Sequence, residues 1–484
     1  MALRVLAVAS ECAPLLKTGG LADVVGALPR VLAPEGVEVT TLLPGYPAVM
    51  QAIGTRAKAV HRIADLFGGP ARLLRGEAAG LDLLVLEAAH LYDRPGNPYT
   101  APHGAEWEDN GIRFAALGVA ASFAATGTVR GLEFDAVHAH DWQAGLVPAY
   151  LRFAPGKRKP ALFTIHNLAF QGKFPLSLFH RLGLPPEALS VEGVEYYGTL
   201  GFLKAGLWYA DRINTVSPTY AAEIGTPALG MGLDGLLRGR GGHVSGILNG
   251  LDTAAFDPAQ DTYLPAPFSA ADPAARVANK AALQRRMGLA QSPETLLFGF
   301  VGRLAWQKGV DMLLGAVPAM LAEGAQLALL GTGEWGLEEG CRGAAAAHLG
   351  RIGAHIGFDE ALARLVYAGA DVILVPSRFE PCGLAQLAAL RYGALPLVAH
   401  VGGLVDSVVD ANEMALAEGI GTGFHFSPVT EEMLAATVLR IARLWRDPTL
   451  WRRLQANALR ADVSWSRSAA RYAALFREML ADAG

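Results

Sequence analysis

Five short stretches place reactive residue types where an apolar run gives way to a polar loop. The first is Lys17-Thr18-Gly19-Gly20, which follows the apolar run 5–9 and precedes Leu21, Val24, Val25 and Leu28, one apolar stripe at helical spacing. A Lys and two glycines thus sit on the turn that feeds a helix N-terminus. Free backbone N–H groups and the positive end of the helix dipole meet there, and glycine lets a ligand come close to the main chain. The combination suits a phosphate, and it also reads as a tight strand-to-helix turn with a solvated Lys.

The second stretch is His138-Ala139-His140-Asp141-Trp142. A metal reading fails for want of a third ligand nearby. Asp141 can accept sugar hydroxyls and Trp142 can offer a flat apolar face, while Asp141 is also a good N-cap residue. The third, His166-Asn167, ends another apolar run and can donate to a sugar hydroxyl. In the fourth, Arg303 and Lys308 stand five residues apart just past the run 296–301. Two fixed cations there can neutralise a diphosphate leaving group without a metal. The fifth, Ser377-Arg378-Phe379-Glu380-Pro381-Cys382-Gly383-Leu384, again joins an apolar run to a helix start. Glu380 can accept from sugar hydroxyls, and the N–H groups of Cys382, Gly383 and Leu384 open the helix toward an anion. Cys382 has no His close in sequence to make it a nucleophile.

These loops need rigid strands behind them. Short apolar runs at 5–9, 39–43, 83–86, 136–140, 162–165 and 213–216 alternate with amphipathic segments such as 112–125 and 201–210, the pattern of parallel α/β structure. A second series follows at 296–301, 326–330, 351–355, 372–375 and 397–399. Pro29 is expected to kink or end the first helix. The Gly-rich segment 225–242 reads as a linker or mobile loop, and 464–480 as a final amphipathic helix. Two doubly wound units imply a cleft, with ligands outside the carboxyl ends of the strands.

Composition agrees with this plan. A chain of 484 residues, 52 % hydrophobic, is too long for one ordinary core. A net charge of −4 without a basic block gives no attraction to nucleic acid. Cys12, Cys341 and Cys382 are odd in number and far apart, which fits a reducing compartment better than a disulfide framework. The first nine residues lack a signal-peptide pattern and no apolar run approaches 18 residues, so the expected location is cytoplasmic, with no membrane partner.

Taken in order, the motifs resemble those of the bacterial glycogen synthases and related starch synthases, retaining glycosyltransferases of the GT-B fold. The matching stretches are KTGGLADVVGALP at 17–29, DRPGNPY at 93–99, VHAHDWQAGLVPAYL at 137–151 and TIHNLAFQG at 164–172. FLKAGLWYADRINTVSPTYAAEI at 202–224, NGLD at 249–252, GRLAWQKG at 302–309 and VPSRFEPCGLAQL at 375–387 complete the set. The resemblance implies two Rossmann-like doubly wound domains facing each other across a deep cleft. An N-terminal glucan domain would span 1–243 and be completed by 464–484, and a nucleotide-sugar domain would span 244–463. It implies transfer of glucose from ADP-glucose to the non-reducing end of an α-1,4-glucan such as glycogen, with retention and without a cofactor.

Position by position, Arg303 and Lys308 match the pair that holds the phosphates. Glu380, Cys382 and Gly383, with Leu384, match the loop around the glucose, together with His166 and Asn167. Lys17, Gly19, Gly20 and Asp23 match the N-terminal loop, while Asp141, Trp142 and Asn249 match further residues of the glucose site. Phe358 stands where a Tyr commonly faces the adenine. The family's R-x-T-G-G-L-x-D-T-V appears as 399–408 with Ala399 and Val401 in place of Arg and Thr, and with Ser407 for the second Thr. A second Glu of the wider superfamily is replaced by Ala388, so nothing identifies what holds the ribose. Rival readings are a transferase with a small sugar acceptor, a pyridoxal-phosphate phosphorylase and a catalytically silent glucan-binding homologue.

Overall fold

The structure, a computed structural model, describes residues 2–156 and 158–483. The chain forms two compact units, Met1–Asn249 with Ser466–Gly484, and Gly250–Trp465.

In the first unit the strands are β1 (Leu3–Val8), β2 (Val37–Pro44), β3 (Lys58–Ile63), β4 (Ala71–Ala78), β5 (Leu81–Glu87), β6 (Ala136–His140) and β7 (Ala161–Ile165). A small antiparallel sheet of β8 (Lys173–Pro175), β9 (Glu195–Tyr196) and β10 (Thr199–Gly201) comes next, then β11 (Arg212–Thr215) and β12 (Val244–Gly246). The main sheet has the order β12-β11-β7-β6-β1-β2-β5-β4-β3. It is parallel from β12 to β5, and β4 and β3 add an antiparallel edge. The central strands β6 and β7 are buried along their whole length, which is why they read as continuous apolar runs. The edge strand β3, Lys-Ala-Val-His-Arg-Ile, is mostly solvated and carries too little apolar signal to be recognised in the sequence.

The second unit has a six-stranded parallel sheet. Its strands are β13 (Leu297–Val301), β14 (Gln326–Gly331), β15 (Ile352–Ile356), β16 (Val372–Val375), β17 (Leu395–Ala399) and β18 (Phe424–Phe426), in the order β15-β14-β13-β16-β17-β18.

Three expectations need correction. The first helix, Gly20–Leu32, runs through Pro29 instead of ending there, because burial of Leu28 and Leu32 holds the last turn against the lost N–H. The segment 225–242 is not a linker. It contains the helix Asp234–Gly239, buries Leu233 and Leu237, and ties itself down through Arg238 to the Gly225 carbonyl (2.8 Å) and Arg240 to those of Leu207, Trp208 and Ala210. Because β12 still pairs with β11, the chain leaves the first unit after Asn249 and not after residue 243.

The C-terminal helix Ser466–Ala483 belongs to the first unit. Tyr472 accepts from Asn214 Nδ2 (3.0 Å), Arg471 donates to the Gly246 carbonyl (2.7 Å), and the fully buried Phe476 sets its ring edge-on to His138, 5.6 Å between centroids. No helix among the described residues is long and apolar enough to cross a membrane. Phe476→Ala removes a buried ring from beneath β6, a change that costs about 3–5 kcal/mol in other cores. It should lower the urea midpoint of the first unit although the residue lies at the far end of the chain, as followed by tryptophan fluorescence. An unchanged midpoint would mean that the helix is a detachable tail.

Candidate active site

Each main sheet reverses its winding once. In the first unit β1 lies between β2 and β6, and in the second β13 lies between β14 and β16. Crevices for ligands open at the carboxyl ends of such strands, and four of the five reactive stretches leave these ends. The fifth, at His166, leaves β7 beside β6.

In the second unit the 302–309 and 376–384 loops are stitched together. Arg378 N–H donates to the Gln307 carbonyl (2.9 Å), Gln307 Nε2 to the Phe379 carbonyl (3.0 Å), and the Arg378 guanidinium spans the Trp306 carbonyl (2.6 Å) and both oxygens of Asp311 (2.7 and 2.6 Å). Gly309, at φ 68°, brings the first loop against the Pro376 carbonyl, where any Cβ would collide. Between the loops Lys308 Nζ lies 2.5 Å from Glu380 Oε2, which also accepts from Ser377 Oγ (2.8 Å). Lys308, Ser377, Glu380, Gly383 and Leu384 line a cavity of about 60 Å³ over β13 and β16. A buried carboxylate with a half-buried ammonium is a charged, partly dehydrated surface suited to a polyhydroxylated anion.

Other expected residues of this unit have different places. Arg303 is exposed, hydrogen-bonds Gln307 Oε1 (3.2 Å), and stays outside the cavity. Phe358, after β15, is 87 % exposed and offers an open ring. Cys382 is buried, and its backbone lies so close to Gly403 that no side chain fits there, while Gly403 N–H donates to the Glu380 carbonyl (3.1 Å). Thus the 399–408 turn braces the Glu380 loop despite its altered residues. The Ser407 hydroxyl donates to the Gly403 carbonyl (2.6 Å) and accepts from Gln386 Nε2 (3.1 Å), and so helps hold the loop. The helix after Leu384, Ala385–Arg391, has two turns, and Gln386 Nε2 also reaches the carbonyls of Cys382 (2.9 Å) and Gly383 (3.1 Å).

In the first unit Lys17 is exposed and paired with Asp23 (2.8 Å), and the space above Gly19 and Gly20 is open. The loop is shaped by Glu11, a buried residue that sequence reasoning passed over. Its carboxylate accepts from Thr18 N–H (2.5 Å), Thr18 Oγ1 (2.9 Å) and Tyr99 OH (3.0 Å). Burial raises the Glu11 pKa against those hydrogen bonds. A Glu directly after an apolar strand was the available signal, and Tyr99 explains why the 93–99 motif accompanies the Lys17 loop.

Asp141 Oδ1 accepts the His166 N–H (2.7 Å), so the carboxylate holds a loop, and it does not cap the following short helix. Trp142 is packed by Phe114 (centroids 4.9 Å apart), by Phe174 (5.8 Å) and by Gly172, where a Cβ would strike the indole, and these contacts fix its ring. Asn167 Oδ1 accepts from Ala169 N–H (3.0 Å), and Asn249, buried at the end of the unit, has an unpartnered Oδ1. His138 Nε2 lies 2.7 Å from Thr164 Oγ1, and His140 Nδ1 lies 3.0 Å from His166 Nε2. Burial lowers His138 and His166 to about 3 and holds His140 well below its ordinary value, so the three rings are neutral at physiological pH. Among the described residues no group of three His, Cys, Asp or Glu side chains is arranged to hold a metal.

Comparison with known proteins extends this geometry over the whole chain. Residues 4–239 match the family model described as starch synthase catalytic domain, and residues 295–443 match glycosyl transferases group 1. The chain is 59 % identical over 478 residues to a glycogen synthase of Methylocella silvestris and 57 % identical over 479 residues to one of Rhodopseudomonas palustris, covering 99 % of each chain in both cases. The catalytic domain of starch synthase IV from Arabidopsis thaliana, solved with ADP and acarbose, superposes with a TM-score of 0.89 at 29 % identity, over 99 % of this chain and 100 % of that one.

Burial raises the Asp141 carboxyl from the ordinary 3.8 to about 7. Between those values the folded protein holds a proton that the unfolded chain has released, so the penalty of the ionised group grows as pH rises through the window and is complete above it. Asp141→Asn keeps an oxygen for the His166 N–H and removes the penalty. Its melting temperature relative to the parent should climb between roughly pH 4 and pH 8, by differential scanning calorimetry. A difference independent of pH would show that the carboxyl titrates normally.

Proposed function

The chain belongs to the glycogen synthase family, glucan-elongating glycosyltransferases of the GT-B fold, and we propose that it transfers glucose from ADP-glucose to the non-reducing end of an α-1,4-glucan, with glycogen as the acceptor and retention at the anomeric carbon. The observation that carries this reading is the Lys308–Glu380 pair on the small cavity at the winding reversal of the second unit. The ADP and acarbose held by the Arabidopsis relative support a nucleoside diphosphate and an α-glucan as the two ligand classes. The three cysteines, none in a disulfide, support a cytoplasmic setting.

In the proposed reaction the second unit holds the nucleotide and the first the glucan. Lys308 and Arg303 balance charge on the diphosphate as the C1–O bond breaks, and the exposed Lys17 is a further cation suited to phosphate. Both lysines are already paired, Lys308 with Glu380 and Lys17 with Asp23, so each exchanges or shares a carboxylate for phosphate on binding. Glu380 and Ser377 take the glucose hydroxyls, and Phe358 supplies a face for the base. The carboxylate on the cavity is engaged by Lys308 and Ser377 and is not poised as a nucleophile. Retention is therefore assigned to attack from the leaving-group side: the acceptor oxygen bonds to C1, and its proton passes to the departing phosphate oxygen. Exclusion of water keeps glucose from being lost to hydrolysis.

Lys308→Ala should lower kcat for glucose incorporation into glycogen by about 10²- to 10³-fold, the usual loss for one preorganised group facing developing charge. Turnover near the parent's would refute the phosphate role. Phe358→Ala should raise the KM for ADP-glucose roughly ten-fold with kcat little changed, as expected for loss of one base–aromatic stack. Radiolabelled ADP-glucose and UDP-glucose run side by side measure both effects and the choice of base. Glycogen binding with no ADP released would instead mark a silent glucan-binding protein.

A further inference from the structure

His140 is buried, takes no part in the scheme above, and touches His166, which the family resemblance places at the glucose. Its Nδ1 lies 3.0 Å from His166 Nε2, while its own Nε2 is buried and has no hydrogen-bond partner. Both rings are held neutral by burial, so a single proton lies between them. Two arrangements satisfy that contact. If His166 Nε2–H donated to His140 Nδ1, His140 would carry its proton on Nε2, a buried N–H with no acceptor. If His140 Nδ1–H donates to His166 Nε2, the orphaned atom is only a lone pair. Buried donors without acceptors are the rarer case in folded proteins, since unpaired acceptors are better tolerated.

The surroundings leave His140 little freedom to do otherwise. His138 lies against its ring with centroids 3.9 Å apart and is itself fixed by Thr164 Oγ1 and flanked by Tyr472 and Phe476. On the other side the His166 main chain is pinned by Asp141 Oδ1. The imidazole and the backbone of His166 are thus held by two different residues of the same motif, 138–141.

We propose that His140 is a positioning residue: by donating Nδ1–H to His166 Nε2 it fixes His166 as the Nδ1–H tautomer, so that the free nitrogen of His166 is presented to a sugar hydroxyl as a hydrogen-bond donor and not as an acceptor. A sugar hydroxyl can take either role, and a fixed N–H removes that choice. The inference rests on the family resemblance that places His166 at the glucose, but the tautomer itself can be measured without turnover.

The test is a long-range ¹H–¹⁵N spectrum of the full chain with ¹⁵N-labelled histidine, with the His166 signals assigned by their loss in His166→Gln. His166 should show a bare, pyridine-type Nε2 and a protonated Nδ1; a protonated Nε2 overturns the proposal whatever the enzyme's activity. Kinetics supply the second arm. The amide nitrogen of His140→Asn stands near the place of Nδ1–H, so this variant should keep the His166 tautomer and stay within about three-fold of the parent kcat. His140→Leu has no donor and should lower kcat about ten-fold or more with a small change in the KM for ADP-glucose. Equal losses in both variants, with the His166 spectrum unchanged, also overturn it. If His140→Leu fails to fold, the parent spectrum and the Asn variant still decide. If the protein proves to transfer no glucose, the spectrum alone judges the tautomer, and the two failures stay distinct.

Discussion

A carboxylate buried at the end of a parallel strand must find hydrogen-bond donors, and that requirement organises the loops at the carboxyl ends of both sheets. Glu11 draws in the Thr18 N–H, the Thr18 hydroxyl and Tyr99. Asp141 draws in the His166 N–H. Glu380 draws in Lys308 and Ser377. In each case the acid follows a strand directly or by a few residues and at least one donor comes from a distant stretch of chain, so satisfying the acid also fixes how two loops sit together. A buried ion without such partners would cost several kcal/mol, enough to reject most other loop conformations.

The same constraint explains the division of labour among the polar residues. Those that reach outward, Lys17, Arg303 and Phe358, lie in loops whose shape is decided by residues that do not. Gln386 and Ser407 hold the main chain of the Glu380 loop, and Gln307 and Arg378 lash that loop to its neighbour. A group that must meet a charged substrate needs a defined position before binding, because ordering it afterwards would be deducted from affinity. The Lys308–Glu380 pair goes further, since a cation parked 2.5 Å from its carboxylate is both placed and neutralised.

Much of this was legible in advance, and the misses have physical causes. Central strands were recognisable because both faces are covered, which forces an unbroken apolar run. The edge strand β3 was not, since it is largely solvated, and neither was β12, three residues long. The segment 225–242 looked like a linker because glycine signals irregular backbone, yet Arg238 and Arg240 spend their donors on carbonyls of the same unit. Asp141 and Trp142 were read as sugar contacts because Asp and Trp are residue types that sugars meet. The tertiary structure adds partners within the protein that residue type could not announce, the His166 N–H for Asp141 and the rings of Phe114 and Phe174 for Trp142.

By itself the sequence determined the α/β class, the two consecutive winding units and the stretches that carry the reactive groups, because these depend on local periodicity and on residue type at strand ends. Only the tertiary structure decided which polar groups stay open to solvent and which face each other. That choice depends on partners far away in the chain, Glu11 with Tyr99, Asp141 with His166, Lys308 with Glu380, and His138 with a helix at the opposite terminus. A polar residue's role is set by whether a complementary group reaches it on folding, and no spacing along one strand records that.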